Sequence, residues 1–267
     1  MADLETRRDG DVLVVTLNRP QKRNALSLAM LEGLEKTLET AAYDDSLRAL
    51  VLTGAGEKSF SAGMDLGVLF EHLSSRPSGE KIRKTQRRLQ ELANRFEELE
   101  KPTLAAIEGS CVGGGLEIAL ALDLRISSRD AKFGFPEAKI GMLPDLGGTT
   151  RLARLVGPTV AKEWIFTGRL YDAERVMGWG IVNELVPAGG ALKRAIEVAH
   201  ELSASGPLAI AWAKRVIDRS VGLPLREGLE LEQDAMTEIL PSDDLKEGVM
   251  AFLEKRAPKF KGHRRDD

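Results

Sequence analysis

The chain has 267 residues, enough for one large domain or for one domain with a smaller appendage. Hydrophobic residues make up 43% and charged residues 30%, which is typical of a soluble globular protein. The net charge of -3 argues against a general nucleic-acid-binding surface, and the single cysteine, Cys111, excludes an intramolecular disulfide and a cysteine-based zinc site.

The remaining bulk features concern metals and location. None of the three histidines lies at metal-ligand spacing from another, so no metal is expected. The N-terminus has no apolar segment of the signal-peptide kind, and no run of residues is long and apolar enough for a membrane span. We therefore expect a cytoplasmic location without membrane contact, or an organelle matrix if a transit peptide has been removed.

The first half of the chain alternates between strand-like and helix-like segments. Asp9-Gly10 marks a hairpin turn before a strand over Val12–Leu17, and residues 24–27 offer a cap for a helix over Leu28–Tyr43. Next come a strand over residues 47–53, an amphipathic helix over 79–101, a strand over 103–107, a buried helix over 116–122 and a strand over 124–127. This alternation predicts an α/β core with parallel strands.

The second half is predominantly helical. Helices are predicted over residues 160–167, 172–179, 188–205, 207–220, 225–240 and 243–256, with one strand over 181–186. We divide the chain into a core over residues 1–200 and a helical C-terminal region over residues 201–267.

The glycine triplet Gly113-Gly114-Gly115 is the first candidate site. Glycines permit a sharp turn that exposes backbone amides, and the start of a helix adds unsatisfied N–H groups and a positive dipole end. Such a turn can hold a phosphate or an oxyanion that develops during a reaction. The spacing matches neither a P-loop nor a dinucleotide-binding turn, so phosphate is disfavoured. Tight packing of a helix against a strand remains the alternative.

Two glutamates lie near this triplet and near a second glycine-rich turn. Glu117 belongs to an otherwise apolar helix, where a charge is disfavoured unless it is paired or functional. Glu137 follows a proline in a turn bracketed by glycines. Two carboxylates in unlike environments can divide acid and base roles between them. For Glu137 alone, a surface or helix-capping role is the alternative.

Together with residues 60–66, these motifs make the chain resemble the crotonase superfamily, the enoyl-CoA hydratase/isomerase family. The resemblance extends from Asn18-Arg19-Pro20 to Arg256. The resemblance implies an α/β fold, a crotonase-like spiral of strand-strand-helix (ββα) turns with a C-terminal helical trimerisation region. It also implies a homo-oligomer, a trimer or a dimer of trimers. The implied substrate is an acyl-CoA thioester, with no separate cofactor because coenzyme A is part of the substrate.

The resemblance also assigns roles to residues. The backbone amides of Met64 and Gly114 would form the oxyanion hole, while Glu117 and Glu137 would add water syn to a trans-2-enoyl-CoA, giving a 3-hydroxyacyl-CoA. Glu137 would donate the proton to the α carbon. Residues implied to contact substrate or coenzyme A are Lys22, Arg23, Ala62, Gly63, Asp65, Leu66, Phe252 and Lys255. For the charged residues and Phe252, ordinary solvated charges and a packed aromatic ring are the alternative.

The hydratases that the chain resembles often carry a small residue at the position of Asp145, so this aspartate departs from their pattern. In enoyl-CoA or dienoyl-CoA isomerases of the superfamily an aspartate there acts as acid or base. The other explanation, which we favour, is a cap on the helix that begins near Gly147. A non-catalytic acyl-CoA-binding homologue is a further alternative. Acyl-chain preference is assigned to residues 67–80, where Leu69, Phe70 and Leu73 are candidates for lining a cavity.

Overall fold

The computed structural model describes residues 2–262, apart from the side chains of residues 72 and 73. The strands are β1 Leu4–Asp9, β2 Val12–Leu17, β3 Ala49–Gly54, β4 Ser59–Ser61, β5 Thr103–Ile107, β6 Ser110–Val112, β7 Leu124–Ser128, β8 Lys132–Gly134, β9 Leu170–Asp172 and β10 Glu184–Val186. The α-helices are α1 Leu28–Tyr43, α2 Leu66–Ser74, α3 Gly79–Glu98, α4 Gly114–Leu120, α5 Gly148–Thr167, α6 Ala173–Gly178, α7 Ala191–Ser203, α8 Pro207–Ser220, α9 Leu225–Ile239 and α10 Asp243–Leu253. Short 3-10 helices cover Pro20–Lys22 and Pro136–Ile140.

The larger sheet has six strands in the order β1-β2-β3-β5-β7-β10. Strands β1 and β2 form the expected antiparallel hairpin, and every other neighbouring pair in this sheet is parallel. All five residues of β5 are buried, because the sheet is covered on both faces. The predicted parallel α/β core is confirmed.

The smaller sheet has four strands in the order β4-β6-β8-β9, and its first three strands are parallel. Three successive turns of the chain each contribute one strand to the larger sheet and the next to the smaller one: β3 and β4, β5 and β6, β7 and β8. Helices follow each pair, so the predicted spiral of ββα turns is confirmed. Since β4, β6 and β8 are parallel neighbours, the segments that follow them emerge at the same edge of the sheet.

Two hydrophobic cores flank the larger sheet. On one face, helix α7 packs against the strands through Ala191, Ala195 and Ala199, and these small side chains permit close approach of helix and sheet. On the other face, a larger core fills the space between the sheets and the remaining helices. It includes Trp164, whose ring lies 5.6 Å from that of Phe135, measured between centroids.

The bounds predicted for several elements were wrong, for local reasons. Helix α5 begins at Gly148, well before residue 160, because Gly157 (φ 78°, ψ 162°) kinks the helix and interrupts its periodicity. Helix α3 ends at Glu98, since Leu99 is extended ahead of Pro102. The three-residue strands of the smaller sheet were not predicted, because three residues are too few to show an alternating pattern.

Among the described residues, no helix combines the length and apolarity that crossing a membrane requires.

Candidate active site

Three loops meet around a cavity of about 520 Å³ at the shared edge of the smaller sheet. One follows β4, one follows β6, and one follows β8, so the three glycine-containing segments singled out in the sequence lie together. Helices α2 and α3 close the other side. The side chains or backbone of Met64, Gly114, Glu117, Glu137 and Asp145 all line this cavity.

Two backbone amides beside the cavity have no hydrogen-bond acceptor among the described residues. Leu26 and Met64 form a bridge in which the Leu26 amide donates to the Gly63 carbonyl at 2.8 Å and the Asp65 amide donates to the Leu26 carbonyl at 3.1 Å. The Met64 N–H is therefore turned away from Leu26. Gly114 begins α4, where an N–H has no intrahelical acceptor. A Cβ built on Gly114 would lie 3.5 Å from the Met64 nitrogen, so the two amides are neighbours.

Each glycine of the triplet meets a different physical requirement. Gly113 has φ 54° and ψ -134°, a conformation that side-chain-bearing residues rarely adopt. A Cβ on Gly115 would lie 2.5 Å from the Ser61 Cβ, so close helix packing demands glycine there. Gly114 lies between them and exposes its amide. The triplet thus serves packing and amide exposure at once.

Glu117 is only 1% exposed, and its Oε1 accepts hydrogen bonds from the amides of Leu146 and Gly148, both at 2.8 Å. These amides belong to the N-terminal end of α5. Burial raises the pKa of Glu117 to about 8, against the opposing effect of the Gly148 hydrogen bond. Glu137 and Asp145 raise this pKa further through charge repulsion.

Helix α4, which carries Glu117, is anchored at its C-terminal end by a buried arginine. Arg125 donates to the carbonyl of Ala119 at 3.1 Å and to that of Leu122 at 2.5 Å, and it also bonds the carbonyl of Ile181. These contacts satisfy carbonyls that a helix end otherwise leaves unpaired. Arg125 thus anchors the C-terminal end of α4, and the Leu146 and Gly148 amides bind the Glu117 carboxylate directly.

Glu137 lies in the 3-10 helix Pro136–Ile140, directly after β8. Its Oε2 is buried and has no hydrogen-bond partner among the described residues. Burial raises the pKa of Glu137 to about 7, and the charge of Asp145 contributes in the same direction. A Cβ on Gly113 would lie 2.9 Å from Glu137 Oε1, so the glutamate lies directly beside the glycine turn.

The prediction that Asp145 caps α5 is wrong. The N-cap residue is Gly147, no side chain of the cap bonds the helix, and Glu117 from α4 supplies the acceptor instead. Asp145 Oδ2 accepts a hydrogen bond of 2.6 Å from Gln86 Nε2 on α3. Burial raises the pKa of Asp145, and the Gln86 hydrogen bond opposes that rise.

Of the residues expected to contact substrate, Ala62, Gly63 and Leu66 line the cavity. Asp65 instead shapes the turn, because its carboxylate accepts from the Gly67 amide at 2.9 Å and pairs with Arg19 at 2.9 Å.

Four other expected contacts lie elsewhere on this chain. Lys22 and Arg23 are exposed at the 3-10 helix that follows β2. Phe252 and Lys255 lie at the end of α10, exposed and away from the cavity wall.

The expectation that residues 67–80 line the cavity is met in part. Leu69 lines the cavity, whereas Phe70 is 71% exposed and does not. The side chain of Leu73 lies outside the described residues. Helix α2 forms this wall, although no helix was predicted there.

Sequence reasoning missed Gln86. A signal was present: Gln86 shares the face of α3 that carries Leu89, Ala93 and Phe96, where a polar residue is unexpected.

A protein-family model described as enoyl-CoA hydratase/isomerase matches residues 7–263. The chain belongs to this family. A probable mitochondrial enoyl-CoA hydratase 2 of Arabidopsis thaliana is 41% identical over 96% of this chain and 83% of its own length. A short-chain-enoyl-CoA hydratase of Clostridium acetobutylicum is 38% identical over 93% of this chain and 94% of its own. The crystal structure of an enoyl-CoA hydratase from Bacillus anthracis superposes with a TM-score of 0.90 at 36% identity, covering 98% of this chain and all of that one.

The raised pKa of Glu117 predicts how the free energy of unfolding of this protein depends on pH. Because the folded-state pKa of about 8 exceeds the ordinary 4.5, the folded protein binds more protons than the unfolded chain between these values. The free energy of unfolding therefore falls as pH rises through this window. Glu117→Gln cannot ionise and keeps an acceptor oxygen for the two amides. We expect this variant to be more stable than the wild type at pH 8 by about 1–3 kcal/mol, measured by urea unfolding.

The same comparison near pH 4.5 is the control, because there wild-type Glu117 is largely protonated in the folded protein. The advantage of the variant should shrink towards zero at that pH. A difference in stability that does not change with pH would contradict the prediction.

Proposed function

We propose that this protein is an enoyl-CoA hydratase, which adds water syn across the double bond of a trans-2-enoyl-CoA to give a 3-hydroxyacyl-CoA and catalyses the reverse reaction. The observation that carries the proposal is the meeting of two glutamates, Glu117 and Glu137, with the paired amides of Met64 and Gly114 on one cavity. Membership of a family that comprises hydratases and isomerases, and relatives named as hydratases, support it.

In the proposed reaction the thioester carbonyl oxygen accepts hydrogen bonds from the amides of Met64 and Gly114. These donors withdraw electron density from the conjugated double bond and make its β carbon electrophilic. When water adds there, negative charge develops on the carbonyl oxygen, where the two amides stabilise it. Neither amide donates to an acceptor among the described residues, so no hydrogen bond of that kind has to break before the carbonyl oxygen binds.

The two carboxyl groups handle the protons. Glu117 has one oxygen held by the Leu146 and Gly148 amides, which leaves Oε2 to orient a water molecule and accept its proton. Glu137, whose Oε2 has no partner among the described residues, delivers a proton to the α carbon. The new C–O bond forms at the β carbon as the C–C π bond breaks. A pKa raised to about 7 or 8 suits such transfers near neutral pH.

A second candidate is an enoyl-CoA or dienoyl-CoA isomerase that uses Glu137 and Asp145. The observation in its favour is that Asp145 lines the same cavity and raises the pKa of Glu137. Such an enzyme would move a proton between carbons without adding water, and Glu117 would then have no evident role. A non-catalytic acyl-CoA-binding protein is the third candidate, which the intact glutamate pair disfavours.

Crotonyl-CoA incubated with the purified protein in heavy-oxygen water distinguishes these candidates. A hydratase consumes the conjugated thioester and yields hydroxyacyl-CoA that carries the heavy oxygen at its hydroxyl group, as read by mass spectrometry. An isomerase instead converts a 3-enoyl-CoA or a dienoyl-CoA without incorporating label. Binding of these thioesters without turnover of any of them would identify the non-catalytic homologue and refute both activities.

We also propose that residues 201–267 form an oligomerisation region, in a trimer or a dimer of trimers. Large apolar side chains exposed on α9 and α10 support this proposal: Leu225, Leu229, Met236, Val249, Phe252 and Leu253. In such an assembly Phe252 and Lys255 would meet coenzyme A bound by a neighbouring subunit, and Lys22 and Arg23 would lie near its phosphates. The proposed location is the cytoplasm or an organelle matrix.

A further inference from the structure

The wall of the cavity formed by α3 and the loop before α5 has an unusual polar pair. Gln86 Nε2 donates to Asp145 Oδ2 at 2.6 Å, and both side chains line the cavity. Asp145 Oδ1 accepts no hydrogen bond from another described residue. One oxygen of this carboxylate is therefore held by Gln86, and the other has no partner on another described residue.

The cavity, although largely apolar, presents several carboxylates. Three of its carboxylates belong to Glu117, Glu137 and Asp145, and a fourth, that of the exposed Glu71, also lines it. Among the described residues that line it, there is no lysine, arginine or histidine. An acyl group that ends in a carboxylate would be repelled by these carboxylates, whereas a hydrogen-bond donor would find an acceptor.

The Gln86–Asp145 contact is not what the packing of α3 requires. In donating to Asp145, Gln86 leaves its own Oε1 buried and without a partner among the described residues, which destabilises the fold. An apolar side chain would continue the face formed by Leu89 and Phe96 without that cost. Gln90 of the same helix already ties down the loop, because its Nε2 donates to the Asp145 carbonyl at 2.9 Å. The Gln86 hydrogen bond therefore acts on the Asp145 side chain.

We propose that Asp145, positioned by Gln86, binds a hydrogen-bond donor on the acyl chain, an alcohol or ammonium group beyond the carbons that react. This inference rests on the proposed function, because it places an acyl-CoA in this cavity. If the amides of Met64 and Gly114 bind the thioester, the acyl chain occupies the rest of the same cavity, whose wall includes Gln86 and Asp145. Asp145 is a specificity residue in this scheme and Gln86 a positioning residue.

The test uses short trans-2-enoyl-CoAs of equal length that end in a methyl, a hydroxyl, an ammonium or a carboxylate group. For the wild type we expect kcat/KM for the hydroxyl and ammonium members to exceed that for the methyl member by about tenfold or more. The reason is that a bound methyl group leaves the Asp145 carboxylate without a hydrogen-bond donor, which costs binding free energy. The carboxylate member should be the poorest substrate. Equal values for the methyl, hydroxyl and ammonium members would overturn the inference.

Matched variants separate recognition from structure. Gln86→Met should lower the preference for the donor-bearing members by about tenfold, through KM more than kcat, because Asp145 is no longer held. Gln90→Met removes the hydrogen bond from α3 to the Asp145 backbone carbonyl and leaves the Asp145 side chain bound to Gln86. This variant should keep the wild-type preference. If the two variants behave alike, the inference is wrong.

Asp145→Asn provides an independent measurement should Gln86→Met fail to fold. It keeps the size of the side chain and an acceptor oxygen but removes the negative charge, so the preference for the ammonium over the methyl member should disappear. Persistence of that preference would overturn the assignment to Asp145. Hydration of the methyl member without any preference refutes only this inference, whereas absence of hydration with every member refutes the proposed function.

Discussion

Glu117→Gln and Glu137→Gln are each expected to lower kcat for hydration of a trans-2-enoyl-CoA by about 10²–10⁴-fold. Each substitution preserves the size of the side chain and removes its ability to exchange a proton. Glu117 Oε1 would remain an acceptor for the Leu146 and Gly148 amides as the amide oxygen of glutamine. The loss should therefore appear in kcat rather than in folding, and steady-state kinetics with crotonyl-CoA measures it.

Binding and a double variant test whether the two groups cooperate. Affinity for an unreactive acyl-CoA should change little in either single variant, since the amides of Met64 and Gly114 are untouched. If Glu117 and Glu137 act as a unit, the double variant should lose scarcely more activity than the poorer single variant. A single variant that keeps more than about a tenth of the wild-type kcat would place the chemistry on other groups.

Gly114→Pro is expected to lower kcat/KM by at least about 10²–10³-fold, because it deletes one of the two amide donors. The position suits the experiment. Gly114 is the first residue of α4, where proline is tolerated and where the N–H has no partner within the helix. The preceding Gly113 has no side chain to clash with the proline ring. Kinetics and thermal unfolding of the same preparation separate loss of the donor from loss of the fold.

Gly114→Ala is the matched control because it keeps the amide. Its Cβ would lie 3.4 Å from Leu26 Cδ1 and 3.5 Å from the Met64 nitrogen, which are ordinary contact distances. We expect less than about a tenfold loss of kcat/KM, a small fraction of the effect of a missing oxyanion donor. If alanine and proline were equally damaging, the backbone amide of Gly114 would not be the group that matters. Gly113→Ala is unsuitable as a control, since its φ of 54° strains any side chain.

Local sequence determined the elements whose signals lie within a few residues. The bounds of α1 were predicted without error, because Ser27 accepts a hydrogen bond from the Met30 amide at the start and leucines recur along one face. Strand β5 and helix α8 likewise have the predicted bounds. Glu117 was recognisable for a related reason, since one charge in an apolar helix contrasts with its immediate neighbours.

Tertiary structure alone decided which side chains meet. The sequence favoured Asp145 as the cap of α5, whereas Glu117, distant in the chain, accepts from the Gly148 amide. The partner of Asp145, Gln86, lies on another helix and belongs to a face that periodicity assigns to the core. The strands β4, β6 and β8 exist because they pair with one another, and that pairing brings the three loops together.

The physical reason lies in the range of the interactions. Caps, turns and helical periodicity depend on neighbours along the chain, so the sequence by itself determined most of the helices, though not α2 or the first half of α5, and the glycine turn and the two glutamates as candidates. A raised pKa, an unpaired amide or a held carboxylate depends on burial and on groups brought together from distant segments. The burial, pKa and hydrogen-bond partners of Glu117, Glu137 and Asp145 therefore depend on the tertiary fold, which brings the three carboxyl groups to one cavity.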